Sequence, residues 1–177
     1  MAKRIASLPG SSVLDVASGT GDIPLRVLRY QNQSSAKHLI VSDLCPEMID
    51  LAKKRIPEPN NQIKYLQLNA HNLKEIESES VDIYSISFGM KILDRNSVLS
   101  EAYRVLNPGG KLLCLEASQI PIGVIHRAYL KYMNWCIPFI AKISTGGDSS
   151  AYNYLLRGVH EFPNQAELVS ELERHGF

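Results

Sequence analysis

The chain has 177 residues, of which 45% are apolar and 21% are charged, as in an ordinary globular domain long enough to bury a core. Its net charge of +1 lacks the strongly basic balance of a nucleic-acid-binding protein, so no nucleic-acid partner is predicted. Cys45, Cys114 and Cys136 are odd in number and widely spaced. This spacing indicates buried thiols in a reducing compartment and argues against a disulfide framework or a zinc site, and no metal site is predicted.

The sequence contains no run of about 18 uncharged apolar residues, so no membrane-spanning helix is predicted. The first seven residues are basic and lack the apolar core of a secretory signal. We therefore expect any targeting peptide or leading helix to lie outside this sequence.

The segment Val13–Asp22 begins as a buried strand, breaks into a glycine turn and is followed by a helix over Ile23–Tyr30. Without a Cβ, Gly19 and Gly21 let a cofactor lie against the main chain, and the N–H groups of residues 20–23 can donate to it. A purely structural tight turn is the alternative interpretation.

The residues after the turn favour one class of cofactor. Pro24 stands where the dinucleotide fingerprint needs a third glycine, and Asp22 would repel a pyrophosphate, which disfavours a nicotinamide dehydrogenase. An adenosyl cofactor that carries a sulfonium and an ammonium fits better, with Asp15, Asp22 or both offsetting its positive charge.

The second predicted strand, His38–Asp43, ends in an acid 22 residues after Gly21. This is close to the spacing at which a carboxylate accepts hydrogen bonds from ribose hydroxyls. The alternative is that Asp43 is the N-cap of the amphipathic helix that begins near Pro46.

The remaining predicted elements complete a parallel α/β sheet. They are strands over Ile63–Leu68, Val81–Phe88 and Lys111–Glu116, and a helix over Asn96–Leu106 that the turn Asn107–Gly110 ends. Right-handed crossovers place the ends of the first and fourth strands side by side. One crevice would then be lined by the glycine turn, Asp43, Asn69 and Ser87, whereas Asp82 at the opposite edge is structural.

Several segments carry a resemblance to a known family: Val13–Asp22, Ser42–Asp43, Asn69–Ala70, Ile86–Gly89, Tyr103–Gly110, Leu113–Glu116, Gly147–Asp148, Tyr152–Leu155 and Phe162–Pro163. With them the chain resembles class I S-adenosylmethionine-dependent methyltransferases. More narrowly, it resembles the UbiE-type C-methyltransferases of ubiquinone and menaquinone biosynthesis, including mitochondrial members. The resemblance covers nearly the whole chain.

The resemblance implies a Rossmann-like domain over residues 1–177, truncated at both ends and lacking strands six and seven. It implies S-adenosylmethionine as the cofactor. In addition to Gly19 and Gly21 of the turn, the resemblance implies cofactor contacts from Thr20, Asp43, Asn69, Ala70 and Ser87. The chain departs from the family at Ser18, where glycine is usual, and at Lys91–Ile92, which replace an Arg-Asn pair.

The implied reaction is C-methylation of a prenylated quinol of the 2-methoxy-6-polyprenyl-1,4-benzoquinol type. A positioned base or water must share a phenolic proton while the ring carbon attacks the methyl group. The predicted catalytic residues are Lys91, Asp148 and Tyr152, and His71, Tyr154 and His160 are weaker candidates. For Lys91 the alternative is a solvated loop lysine, for His71 a surface loop residue, and for Asp148 a helix cap.

Residues 119–160 form a predicted helical insertion, rich in large apolar side chains, over the substrate. It could contact a membrane where a polyprenyl tail enters, or pack as core and dimer interface. The expected partners are the quinol, other ubiquinone-biosynthesis proteins, a membrane surface and a second copy of the chain. The expected location is the matrix face of the mitochondrial inner membrane, or the cytoplasm of a bacterium. The alternatives are a non-catalytic or truncated subunit, and a methyltransferase of another small molecule.

Overall fold

The structure is a computed structural model that describes residues 1–31, 37–56, 62–118, 123–125, 127–132, 135 and 162–177. It divides into two compact units, Met1–Glu116 and Ala117–Phe177. The expected single domain with an insertion over residues 119–160 stays a prediction. The sheet and the predicted cofactor residues belong to the first unit.

The first unit is built on a five-stranded parallel sheet in the order β3-β2-β1-β4-β5. The strands are β1 (Ser12–Val16), β2 (His38–Asp43), β3 (Ile63–Gln67), β4 (Val81–Ser87) and β5 (Leu106–Leu115). β1 pairs with both β2 and β4, so chain order reverses beside β1 and a crevice opens at the carboxyl ends of β1 and β4. The predicted α/β class and this adjacency are confirmed.

The helices of the first unit are α1 (Ala2–Ser7), α2 (Asp22–Tyr30), α3 (Pro46–Arg55) and α4 (Arg95–Val105). In the second unit, residues 123–125 and 127–132 are helical, and a helix that we label α5 spans Gln165–Arg174. The expectation that a leading helix would lie outside the sequence is wrong, because α1 precedes β1 and buries Ile5 completely. A helix of six residues is too short to show the apolar periodicity on which the prediction relied.

Strand β5 begins five residues earlier than predicted. Leu106 pairs with Val81, and the register then shifts so that Lys111 pairs with Ile83. The predicted turn over residues 107–110 is therefore absorbed as an irregularity inside the strand, where Gly109 adopts φ +78°.

Apolar side chains on both faces of the sheet form the core. A cluster formed by residues of α1, α2 and the strands contains Ile5, Val13 and Val27, each at most 1% exposed. Val98 and Leu99 of α4 are also fully buried. This burial holds the carboxyl ends of the strands in place, and the polar residues of the crevice follow those ends.

Candidate functional site

A cavity of about 710 Å³ lies at the carboxyl ends of β1 and β4. Among the residues that line it are Asp15, Gly19, Thr20 and Ser87. The volume is within the range of small-molecule and cofactor sites. The predicted meeting of the glycine turn with the end of β4 is therefore confirmed, whereas Asp43 and Asn69, predicted to line the same crevice, are not among the residues that line the cavity.

The two glycines of the turn have different roles. A Cβ on Gly19 would meet no atom within 4 Å, so this glycine leaves open space at the cavity. A Cβ on Gly21 would lie 2.6 Å from Ile56 Cδ1, beside the end of α3. The N–H of Gly21 also donates to the Ser18 carbonyl, so it is not the ligand donor that the sequence suggested. Gly21 is required for packing, and Gly19 for access to the cavity.

Asp43 connects the end of β2 to the glycine turn. Its Oδ2 accepts a hydrogen bond from the Gly19 N–H at 2.8 Å, and its Oδ1 accepts one from the Cys45 N–H at 2.9 Å. Cys45, rather than Asp43, occupies the N-cap position of α3, so the alternative of Asp43 as an N-cap is wrong. A carboxylate has about four acceptor positions, which leaves Asp43 capacity for two ribose hydroxyls.

Asp15 is a buried carboxylate at the floor of the crevice, 3% exposed. Ser18 Oγ lies 2.6 Å from its Oδ2, and the Ser85 hydroxyl donates to its Oδ1. Burial raises the pKa of Asp15 to about 6, while the two hydroxyls act in the opposite direction. The cavity is therefore bordered by a carboxyl group that titrates near neutral pH.

Asp22 is paired with Arg55 at the end of α3. Arg55 Nη2 donates to Asp22 Oδ1 at 2.9 Å, and Nη1 donates to the Thr20 carbonyl at 3.0 Å and to the Thr20 hydroxyl. The hydrogen bond from Arg55 lowers the pKa of Asp22 below its ordinary value. Because Asp22 is already neutralised, Asp15 is the better candidate to offset a bound cation.

Asn69 follows β3, and its carboxamide is used locally. Its Oδ1 lies 3.0 Å from both the N–H and the Nδ1 of His71. His71 Nε2 in turn accepts from the Asp94 N–H at 3.0 Å, so both ring nitrogens have partners. This arrangement favours a structural role for His71 over that of a base. Neither Asn69 nor the buried Ala70 is among the residues that line the cavity.

Lys91 forms a buried ion pair. Its ammonium lies 2.7 Å from Glu116 Oε1, and the two side chains are 3% and 2% exposed. It also donates to the Phe88 carbonyl at 3.0 Å. The alternative of a solvated loop lysine is therefore wrong. The pair joins the turn after β4 to the end of β5 and supports Phe88 at the cavity rim.

Two of the three described non-glycine residues with positive φ lie at this edge of the sheet. Ala17 and Phe88, with φ of +49° and +57°, follow the two central strands, whereas Glu79, with φ of +49°, precedes β4 at the opposite edge. A Cβ on Gly89 would lie 2.8 Å from the Ala17 Cβ, so the two loops approach each other closely. Strained backbone of this kind is concentrated at ligand sites.

Several predicted groups lie outside the described residues: Cys136, Asp148, Tyr152, Tyr154 and His160. Cys45 and Cys114 are free thiols that are half-buried rather than buried as expected. Among the described residues, no group of three or more His, Cys, Asp or Glu side chains could hold a metal ion. In that same part of the chain, no helix is long and apolar enough to cross a bilayer.

Three residues with contacts at this edge of the sheet are not predicted from the sequence: Arg55, Ser85 and Glu116. Arg55 lies on a helix face that periodicity alone marks as solvent-exposed, and its partners are 33 and 35 residues away. Ser85 and Glu116 could have been noticed, because one is a polar residue inside an apolar strand and the other follows such a strand. Neither pattern identifies the residue that the side chain contacts.

A family model described as the ubiE/COQ5 methyltransferase family matches residues 1–177. Over 172 residues the chain is 35% identical to a protein of Brucella canis named ubiquinone/menaquinone biosynthesis C-methyltransferase UbiE. The match covers 96% of this chain and 62% of that protein. A protein of the same name from Brucella anthropi is also 35% identical, with 64% of it covered. The chain thus spans less than two thirds of the length of these relatives.

Solved structures share the fold. Phosphoethanolamine N-methyltransferase 2 of Haemonchus contortus, in complex with S-adenosyl-L-methionine, matches with a TM-score of 0.66 and 19% identity. That match covers 99% of this chain and 35% of the other. The CurJ carbon methyltransferase matches with a TM-score of 0.69 and 18% identity, over all of this chain and 47% of the other. At these identities the likeness supports the Rossmann-like methyltransferase architecture alone.

Proposed function

Because the chain belongs to the ubiE/COQ5 methyltransferase family, we propose that it transfers a methyl group from S-adenosylmethionine to a ring carbon of a prenylated benzoquinol. The 2-methoxy-6-polyprenyl-1,4-benzoquinol type is the substrate we propose. The observation that supports this most is the cavity between the ends of β1 and β4, bordered by Asp15, Gly19 and Ser87.

The residues of the crevice fit the proposed cofactor chemically. When bound, S-adenosylmethionine supplies a methyl group on a cationic sulfur. Asp43 has acceptor capacity that would suit ribose hydroxyls, Gly19 leaves room for close approach, and Asp15 would supply negative charge to offset the cationic groups of the cofactor. Asn69 and Ala70 are proposed to contact the adenine from beyond β3.

The residues of this chain would contribute alignment and proton handling. We propose that Lys91 stabilises negative charge that develops on the quinol oxygen, while Glu116 holds its ammonium in position. Because its ammonium is held in an ion pair with Glu116, Lys91 is not the base that we propose. The role of base is therefore proposed for Tyr152 or Asp148, or for a water that they hold.

We also propose a membrane surface as a partner, because the quinol carries an apolar tail. In the second unit Val124, Tyr132 and Trp135 are 70%, 59% and 82% exposed, which supplies apolar contacts for an interface. Other quinone-biosynthesis proteins and a second copy of the chain are further proposed partners. The proposed location is the matrix face of the mitochondrial inner membrane, or the bacterial cytoplasm by analogy with the Brucella relatives.

Calorimetric titration with S-adenosylmethionine, followed by a methyl-transfer assay, tests this function. The acceptors are a prenylated benzoquinol in phospholipid vesicles and, for comparison, unrelated soluble phenols. Methylation confined to the quinol supports the proposal. Methylation of a phenol instead would indicate a methyltransferase of another substrate class.

A non-catalytic member of the fold is the second candidate function. The buried Lys91–Glu116 pair, at the position where the family usually has arginine, favours it. Cofactor binding without turnover on any acceptor would support this candidate. Restored turnover in Lys91→Arg would show that the lysine is the cause.

A further inference from the structure

Ser18 stands where the family usually has glycine, and its hydroxyl is the centre of a small hydrogen-bond network. Ser18 Oγ lies 2.6 Å from Asp15 Oδ2 and 2.8 Å from the Asp15 carbonyl, and it accepts from the Ser42 N–H at 3.3 Å. A hydroxyl has one proton to donate, and the shorter contact is with the carboxylate. Glycine at this position would provide none of these contacts.

The environment of Asp15 makes that contact electrostatically important. The carboxylate is 3% exposed, and burial disfavours its charged form. The charge of Asp43 at the end of β2 acts in the same direction, and on β4 the uncharged Tyr84 is a titratable neighbour. The hydroxyls of Ser18 and Ser85 oppose these effects because both donate to the ionised form.

We propose that Ser18 is a positioning residue whose hydroxyl keeps the buried Asp15 ionised beside the cavity, and thereby sets the lower pH limit of cofactor binding. The inference rests on the proposed function, because it assumes that the ligand carries positive charge. The other charged residues at the cavity are Lys3, Asp22 and Arg26. Asp22 is paired with Arg55, so ionisation of Asp15 changes the charge available to a cation.

The test is a titration of the 177-residue chain with S-adenosylmethionine at pH values between 5 and 8. In the wild type, affinity should fall as the pH falls through about 6, because Asp15 takes up a proton in this range. In Ser18→Ala and Ser18→Gly the midpoint should move up by about one pH unit, since a hydrogen bond to a charged group is lost. Ser80→Ala removes an exposed hydroxyl that contacts the Glu77 carbonyl, and should leave the midpoint unchanged.

A double-mutant comparison separates this role from a structural one. Asp15→Asn should bind weakly at every pH in the range, and adding Ser18→Ala to it should have no further effect on affinity. Thermal unfolding at each pH identifies any variant that does not fold, and Ser18→Gly keeps the test available if Ser18→Ala is unstable.

Two results would overturn the inference in distinguishable ways. If the wild type binds the cofactor and the Ser18 variants keep its pH midpoint, Ser18 does not control Asp15, and the proposed function stands. If the wild type does not bind the cofactor at any pH, the proposed function and the inference both fail.

Discussion

Asp15 and Asp82 lie at opposite ends of the two central strands, and their environments act on them in opposite ways. Asp82 Oδ2 accepts from the N–H groups of Ser11 and Ser12 at 2.8 and 3.0 Å, and these bonds help lower its pKa. Among the described residues, the donors to the Asp15 carboxylate are the hydroxyls of Ser18 and Ser85, and burial raises the pKa of Asp15. At the end near Asp82, backbone N–H groups satisfy the carboxylate. At the end near Asp15, the carboxylate keeps negative charge that is available to a ligand.

The lysines at the two ends differ in the opposite sense. Lys37, 2% exposed, donates to the carbonyls of Leu8 and Gly10 and supplies positive charge near Asp82, but burial lowers its pKa. Lys91 is held by Glu116 beside a backbone with positive φ. From the two carboxylates, we expect the end near Asp82 to contribute stability and the end near Asp15 to lose stability in favour of the proposed cofactor binding.

Asp82→Ala should have the largest effect on this comparison. It removes the acceptor of three hydrogen bonds, including one from Asn107 Nδ2 at 2.9 Å, and should lower the free energy of unfolding by about 2–4 kcal/mol. Urea unfolding measures this loss, and cofactor affinity should not change. The exposed Asp50→Ala should cost less than about 0.5 kcal/mol.

The pH dependence of Asp82 has a defined sign. Its pKa is lowered in the folded state, so its contribution is present above pH 3.8 and is lost as the pH falls through the folded-state value. A wild type and an Asp82→Ala variant with equal stability at neutral pH would contradict the structural role.

Asp15→Asn should change stability in the opposite direction. Because the pKa is raised from 3.8 to about 6, the charged form is unfavourable in the folded chain at neutral pH. The free energy of unfolding of the variant should therefore be higher by about 1–3 kcal/mol at pH 7.5. Weaker hydrogen bonds from Ser18 and Ser85 offset part of this gain. The wild type loses this stability as the pH rises from about 4 to about 6, so the difference should grow over that range. A stability loss at pH 7.5 would contradict the trade of stability for binding.

How much of this the sequence predicts differs between the two ends of the sheet. Strands β1, β2 and β4, and the positions of Asp43 and Ser87 at strand ends, follow from apolar runs and from the spacing of acids and glycines. The structural role of Asp82 follows from its place at the start of β4. These are local patterns, and local patterns determine where strands begin and end.

The missed features depend on contacts between distant residues. The predicted solvated alternative for Lys91 was wrong because its partner Glu116 is 25 residues away. The raised pKa of Asp15 requires the burial that β2 and β4 provide together. Apolar periodicity predicts which face of a helix or strand is buried. It does not predict which distant side chain contacts that face.

The two glycines of the turn, at the end of the sheet near Asp15, should show a smaller contrast between stability and binding. Gly21→Ala should cost about 1–2 kcal/mol, because φ is +77° and the new Cβ would press on Ile56. Gly19→Ala, with φ +53° and open space around it, should cost about 1 kcal/mol and weaken cofactor binding more than its stability loss explains. The free energy of unfolding and the cofactor affinity, measured for both variants, give the two losses to be compared. Equal affinity losses would mean that Gly19 does not face the ligand.

Arg55 provides the smallest expected effect, because its side chain is 41% exposed. Arg55→Met should weaken cofactor binding about threefold to tenfold, since Thr20 and Asp22 would lose the guanidinium that holds them together. Arg55→Lys should recover only part of the affinity, because an ammonium cannot reproduce the geometry of both contacts.

The neighbouring Lys53→Met is the matched control for Arg55, because Lys53 contacts only the exposed Asp50 at 3.5 Å among the interactions described for its side chain. Unfolding free energies of all three variants should stay within about 1 kcal/mol of the wild type. An affinity loss in Lys53→Met as large as that in Arg55→Met would mean that the loss does not come from the contacts of Arg55 with Thr20 and Asp22. In that case these contacts with the glycine turn would have no separate role in cofactor binding.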